Sequence, residues 1–225
     1  MGRKLILFDI DGTLIKSAGI GATKKIIMKH FGLDSSNSKL NMEGKTYRAI
    51  IAERLEELGF QNPERDERFS GALNDSSFVQ SAIDEGFIFE KISNIEILLK
   101  SLRKDDHVLG LLTGNVKESA KIKLESVDLW KHFKLGAYGN VARVRSELVE
   151  VALTEAKKTT GISFDKNDVF IVGDTPLDIE CAKHGGVKSV AIATGQKSLK
   201  ELNQNMPDYA FEDFSDIESM LKIFT

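Results

Sequence analysis

The sequence is poor in cysteine: Cys181 is the only one, so no internal disulfide framework can form. Its setting, Cys-Ala-Lys-His-Gly-Gly, reads as a small buried helix position and not as a nucleophile. Charge of one sign is also lacking. Thirty-one basic and 34 acidic residues leave a net charge of -3, which offers no basic field for nucleic acid. No apolar run approaches membrane-spanning length, and no repeat or low-complexity tract occurs. The short basic start leads directly into an apolar run without a cleavable leader pattern, so a cytoplasmic location is expected. His30, His107, His132 and His184 are scattered without metal-ligand spacing and read as structural or exposed. Trp130 with Phe133 reads as core edge. What remains is a globular composition, 41% hydrophobic and 29% charged, in 225 residues, which allows one large domain or a core with an insert.

The positive signal begins at once. Leu5-Ile6-Leu7-Phe8 is a run of large apolar residues, the pattern of a strand buried on both faces. It ends in Asp9-Ile10-Asp11-Gly12-Thr13, so two carboxylates are delivered at a strand's carboxyl end, where open α/β sheets bind ligands. An EF-hand calcium loop does not fit. Counted from Asp9, its Gly belongs at position six and its Glu at twelve, but Gly12 is fourth and Ile20 is twelfth.

Beyond Thr13 the periodicity turns helical. Ala22 to Phe31 is amphipathic and stops at Gly32; Tyr47 to Leu58 carries Ile50, Ile51, Leu55 and Leu58 on one stripe; Phe69 to Ile83 is a weaker third stretch. From about residue 93 strands and helices alternate, with buried strands at 107–112, 134–138, 169–172 and 187–193, and a short one at 208–211. That alternation predicts an α/β fold, a Rossmann-like parallel sheet with crossover helices. Residues 1–15 and 90–225 are expected to form its core. Residues 16–89 form an inserted α-helical cap domain, with Gly19 and Gly21 as hinges.

Two further strand ends carry polar groups. The second strand runs into Thr113-Gly114-Asn115, a hydroxyl and amides suited either to a phosphate or to capping a helix. The strand at 169–172 runs into Gly173-Asp174-Thr175-Pro176-Leu177-Asp178, which sets two carboxylates four apart.

Asp-x-Asp-Gly-Thr, then strand-Thr-Gly-Asn, then strand-Gly-Asp-x-x-x-Asp resembles the haloacid dehalogenase superfamily, in the family's order and over nearly the whole chain. The insert falls where that family's C1-type helical cap belongs. Within it the chain looks most like the phosphoglycolate-phosphatase-like branch. The resemblance implies a Mg²⁺-dependent phosphatase acting on a small phosphorylated metabolite, phosphoglycolate first among candidates. Asp9 would be the nucleophile that forms an aspartyl-phosphate, and Asp11 the general acid and base. Asp9, Asp11 through its carbonyl, Asp174 and Asp178 would hold the metal. Thr113 with Gly114 and Asn115, and Gly12 and Thr13 beside them, would hold the phosphoryl group. A basic residue, often Lys-Pro, is expected before the helix that precedes the last acidic motif. No Lys-Pro occurs here, and Arg145, just ahead of Ser146 as the expected N-cap, is preferred to Arg143. Lys157 and Lys158 are poorly placed.

Gly44-Lys45-Thr46 imitates the end of a P-loop but lacks the preceding strand and the earlier Gly, because residue 39 is Lys39. Lys45 could instead touch a substrate anion from the cap, or serve as the Schiff-base lysine of a phosphonate-cleaving relative. A phosphomutase of the same fold and a non-catalytic phospho-ligand binder are the alternatives to a phosphatase. The protein is expected to be a monomer or homodimer with no membrane or nucleic-acid partner.

Overall fold

A computed structural model describes residues 2–16 and 21–225. The expected hinge residue Gly19 lies outside them, while Gly21 sits at the start of the first helix with φ 65°.

β1 (Leu5–Phe8) is buried throughout and forms the middle of a six-stranded sheet. β2 (Val108–Thr113) lies on one side of it and β4 (Val169–Gly173) on the other. β3 (Leu135–Tyr138) extends the sheet beyond β2, and β5 (Lys188–Ile192) and β6 (Tyr209–Phe211) extend it beyond β4, giving the order β3-β2-β1-β4-β5-β6. Every pair is parallel. The period of two in a strand splits β1 between two cores. Ile6 and Phe8 pack with Leu98, Leu102, Ala120, Leu124 and Met220, while Leu5 and Leu7 pack with Leu148, Ala152, Cys181 and Ala182. Helices therefore cover both faces. α5 (Ile95–Lys104), α6 (Lys117–Ser126) and α10 (Ile217–Lys222) lie on one, and α7 (Glu147–Thr160) and α8 (Pro176–Gly185) on the other. Each large apolar side chain so buried contributes ~1.5–3 kcal/mol.

Between β1 and α5 the chain forms a helical insert. α1 (Ala22–Phe31) ends at Gly32, whose φ of 68° and N–H bond to the Met28 carbonyl close the helix. α2 (Tyr47–Glu57) starts at Thr46, whose side chain accepts from the Ala49 N–H. The single helix expected over 69–83 is two, α3 (Glu67–Leu73) and α4 (Ser77–Asp84). Asn74 and Asp75 divide them with side-chain bonds to the Ser70 carbonyl and the Ser77 N–H, which compete with the helical ladder. Leu58 falls off the buried stripe, 37% exposed, because α2 has already ended at Glu57. Ile26, Ile27, Phe31, Ile51, Leu55 and Phe69 give the insert a core of its own. Its two connections to the sheet run side by side: Lys16 donates to the Glu90 carbonyl and Ile92 to the Leu14 carbonyl, at 2.9 and 3.0 Å.

Two C-terminal helices were not anticipated, α9 (Leu199–Asn203) and α10. α9 had a readable sign: Ser198 and Glu201 form a capping box. Ser146 is not a cap. Its backbone is already helical, and the turn begins earlier, where Glu147 bonds back to Val144 and Leu148 to Arg145.

Candidate active site

The three central strands present their polar residues at one edge. Asp9 follows β1 directly and is tied to β4 by its N–H bond to the Val172 carbonyl, at 2.9 Å. Asp174 follows β4, and Asp178 sits in the first turn of α8. All three are buried, and each offers an oxygen within 4.8 Å of the others. Gly12 has a φ of +89°, and a Cβ there would lie 2.2 Å from an Asp174 oxygen, so the loop after Asp11 passes that carboxylate only as glycine.

Arg145 enters this cluster from the loop before α7. It is 7% exposed, 2.5 Å from Asp178 Oδ1 and 3.2 Å from Asp9 Oδ1. Its Nη1 donates to the Gly44 carbonyl of the insert at 2.8 Å, and its Nε has no hydrogen-bond partner among the described residues. Burial opposes the charge, but Asp178 and Asp9 outweigh it and hold the guanidinium protonated. Arg143, the alternative, is exposed and pairs with Glu56 at 2.8 Å on the insert.

Three carboxylates against one guanidinium leave negative charge in a buried space. Burial pushes the Asp9 carboxyl up to about 6, against the pull of Arg145, and the nearby Asp178 and Asp11 push the same way as burial. The Asp174 carboxyl rises to about 8, by burial first and then by the charges of Asp178 and Asp9. This all-oxygen donor set with surplus charge fits a hard divalent cation such as Mg²⁺. The Asp11 side chain is not part of the set. Asp178 is already engaged at both oxygens, with Arg145 and with Thr175 N and Oγ1 at 3.0 and 2.6 Å.

Asp11 points elsewhere. Its two oxygens accept from Lys123 Nζ at 2.8 and 2.7 Å, and one also from Asn115 Nδ2 at 2.8 Å. Lys123, 7% exposed on α6, bonds Asn115 Oδ1 as well and was missed by sequence reasoning. The available sign was a lysine sharing the apolar stripe of Ala120 and Leu124.

Several residues expected to touch substrate are otherwise engaged. Thr13 is fully buried and donates to Asp174 Oδ1 at 2.8 Å, so it orients a carboxylate. The Gly12 N–H is taken by the Ile15 carbonyl at 2.7 Å, and its carbonyl by Thr194 Oγ1 at 2.6 Å. The Thr113 hydroxyl is fully buried and accepts from Asn115 N and Nδ2. It caps no helix, since α6 starts only at Lys117. Lys45 pairs with Glu53 at 2.5 Å, which offsets its charge. Cys181 is buried, its thiol pushed up to about 12 by burial, and so is unreactive.

A cavity of about 530 Å³ separates the strand ends from the insert. Asp9, Asp11, Asn115, Arg145 and Asp174 line one side, and Tyr47, Ile50, Arg54 and Phe78 the other. The arrangement can hold an anion against Arg145, offer it a carboxylate nucleophile, and place a second carboxylate, Asp11, nearby.

Comparison with known proteins gives the family and the fold. The model of the family described as haloacid dehalogenase-like hydrolase matches residues 6–192, and the chain belongs to that family. The phosphoglycolate phosphatase of Aquifex aeolicus (strain VF5) is 25% identical, with 97% of this chain and 96% of that protein aligned. A protein of Dickeya dadantii (strain 3937) named probable phosphatase IndB is 24% identical over 96% of this chain and 92% of its own. A crystal structure described as a predicted phosphatase from Clostridium acetobutylicum shares the fold. Its TM-score is 0.70 at 20% identity, with 99% of this chain and all of that one covered. No helix among the described residues is long and apolar enough to cross a membrane.

Proposed function

We propose that this haloacid dehalogenase-like hydrolase is a Mg²⁺-dependent phosphatase that cleaves a small phosphorylated metabolite through an aspartyl-phosphate at Asp9. The observation that carries this reading is the Asp9 carboxylate on rigid backbone at the end of β1, 3.2 Å from a buried guanidinium and beside Asp174 and Asp178. Binding alone requires no such nucleophile. The phosphatase relatives support the reaction class, and phosphoglycolate is the first substrate to test.

Asp9, Asp174 and the Asp11 carbonyl would hold the Mg²⁺, with Asp178 bracing the set through Arg145 and Thr175. When bound, the ion offsets the repulsion between carboxylates and a phosphate dianion. Arg145 draws the phosphoryl oxygens toward Asp9 and aligns the carboxylate for in-line attack. An Asp9 oxygen bonds to phosphorus as the ester oxygen leaves, and Asp11 supplies the leaving oxygen's proton. Asp11 then takes a proton from the water that cleaves the aspartyl-phosphate. Gly114 and Asn115 border the phosphoryl position. Residues 16–89 act as a cap whose inner face meets the leaving group and keeps bulk water out.

The test is release of inorganic phosphate from phosphoglycolate and from an aryl phosphate, with Mg²⁺ and with excess chelator. Activity is expected only with the cation, and Asp9→Asn is expected to retain less than about a hundredth of kcat. Full activity in chelator would remove the metal from the proposal. Isomerised product without phosphate release would identify a phosphomutase instead.

A further inference from the structure

The insert side of the cavity carries charged groups that the chemistry at Asp9 does not use. Most are neutralised by neighbours. Lys45 pairs with Glu53 at 2.5 Å, Asp75 with Lys29 and His30 at 2.7 and 2.8 Å, and Glu43 with Lys197 at 3.7 Å. Arg54 is different. It lies on α2, 2% exposed, with no carboxylate at ion-pair distance among the described residues. Its terminal nitrogens reach only neutral acceptors: the Ser35 carbonyl and hydroxyl at 3.4 and 3.3 Å, and Met42 Sδ at 3.2 Å. Its Nε has no partner among the described residues. Glu57, one turn along α2, favours the charge, but its carboxylate accepts from Ser38.

Tyr47 lines the same cavity and buries a phenolic oxygen that makes no hydrogen bond among the described residues; Thr23 is near it but without hydrogen-bond geometry. Burial holds this phenol protonated, so it remains a donor. Tyr47 and Arg54 are seven residues apart and share one face of α2, separated by ~10 Å of helix rise. Tyr47 is the member nearer the strand ends, since its N–H bonds to the Gly114 carbonyl at 2.8 Å. A buried guanidinium without a counter-ion costs stability in the ligand-free protein, and an arriving anion would remove that cost.

We propose that Arg54, assisted by the Tyr47 hydroxyl, receives a second anionic group, a carboxylate or a second phosphate, on the leaving part of the substrate. The proposal rests on the phosphatase reading above and narrows it to phosphate esters or anhydrides whose leaving group is itself charged. The cavity, at about 530 Å³, has room for both groups. Glu43 Oε1, also buried and unpartnered, would accept from a hydroxyl between them.

The experiment compares kcat/KM for three substrates with anionic leaving groups against two with uncharged ones. The first set is 2-phosphoglycolate, 3-phosphoglycerate and inorganic pyrophosphate; the second is glycerol 3-phosphate and 4-nitrophenyl phosphate. The wild type is expected to favour at least one anionic substrate over glycerol 3-phosphate by tenfold or more. Arg54→Met should reduce that ratio at least tenfold, Arg54→Lys should keep part of it, and Tyr47→Phe should reduce it less. Whether the favoured compound carries a carboxylate or a phosphate identifies the group received. A second readout needs no turnover: the thermal shift that the same compounds give the Asp9→Asn protein, with Arg54 present or replaced by Met.

A ratio unchanged by Arg54→Met, or no wild-type preference, overturns the anion receptor while leaving the phosphatase reading intact. Shifts by anionic compounds that require Arg54, without turnover of any substrate, uphold the receptor and overturn the phosphatase reading. Ligand-free Arg54→Met should melt close to wild type, because relief of the buried charge offsets the lost bonds to Ser35 and Met42. A variant that melts far lower or fails to fold shows Arg54 to be a structural residue and overturns the proposal.

Discussion

Arg145 and Arg143 are two residues apart and differ in almost every physical respect. Arg145 is enclosed by Asp9, Asp178 and two backbone carbonyls; Arg143 lies at the surface against Glu56. Removing one partner of a buried charge cluster leaves the others uncompensated, at ~3–5 kcal/mol, whereas an exposed pair is worth ~1 kcal/mol or less. Arg145→Ala is therefore expected to lose on the order of a hundredfold in kcat/KM and to melt well below wild type, with partial recovery in Arg145→Lys. Arg143→Ala should leave both within a small factor. Thermal melts beside steady-state kinetics decide it, and a silent Arg145→Ala would end its assignment.

Lys123 invites a second test at this scale. Its ammonium holds both Asp11 oxygens and the Asn115 side chain, so it fixes where the proposed acid points. Lys123→Met keeps the chain length and deletes the three bonds. The expected result is a loss of ~tenfold or more in kcat with a smaller change in KM, because a misplaced acid affects the transition state more than binding. A change confined to KM would make Lys123 a binding residue.

Among the elements, the seam between α2 and the strand ends decides how closely the insert meets the site. Tyr47 N bonds the Gly114 carbonyl and Arg48 N the Gly139 carbonyl, at 2.8 and 2.9 Å, while Arg145 reaches back to the Gly44 carbonyl. A Cβ on Gly114 would stand 2.2 Å from the Lys45 carbonyl oxygen, which is backbone and cannot swing aside. Gly114→Ala should thus push the insert off the site at ~1–3 kcal/mol. We expect kcat/KM to fall at least ~tenfold while the far-ultraviolet circular dichroism stays that of the wild type. Unchanged kinetics would mean that this seam is not held during turnover.

For the whole molecule, the carboxylate cluster sets a pH dependence. Asp9 and Asp174 have folded-state pKa values of about 6 and about 8, above the ordinary 3.8, so the folded chain keeps protons that the unfolded chain releases. Their contribution to stability is full below pH ~4 and is lost as pH rises through ~6 and then ~8. A cation bound by the ionised carboxylates replaces those protons. Mg²⁺ should therefore raise the melting temperature more at pH 8 than at pH 5. His107 and His132, whose pKa values burial lowers, also respond across this range, but they do so with and without the cation. The Mg²⁺ increment isolates the site. Equal increments at both pH values would contradict binding by Asp9 and Asp174.

The sequence by itself determined the strands, most of the helices and the order of the polar strand ends. Short apolar runs that stop at Asp-Gly, Thr-Gly or Gly-Asp turns read as buried strands; Asp9 and Asp174 follow such strands directly, and Thr113 ends one. What it could not determine is which polar groups face each other, because side-chain partners come from residues distant in the chain. Thr13 meets Asp174 across 161 residues and Asp11 meets Lys123 across 112. Those contacts exist because β2 and β4 flank β1 in the sheet, an order that local periodicity does not encode. The same holds for charge. Only packing sets Glu53 beside Lys45, and only packing gives the Arg54 guanidinium neutral acceptors and no ion-pair partner among the described residues. Burial and pairing are properties of packed space, and only the tertiary structure supplies them.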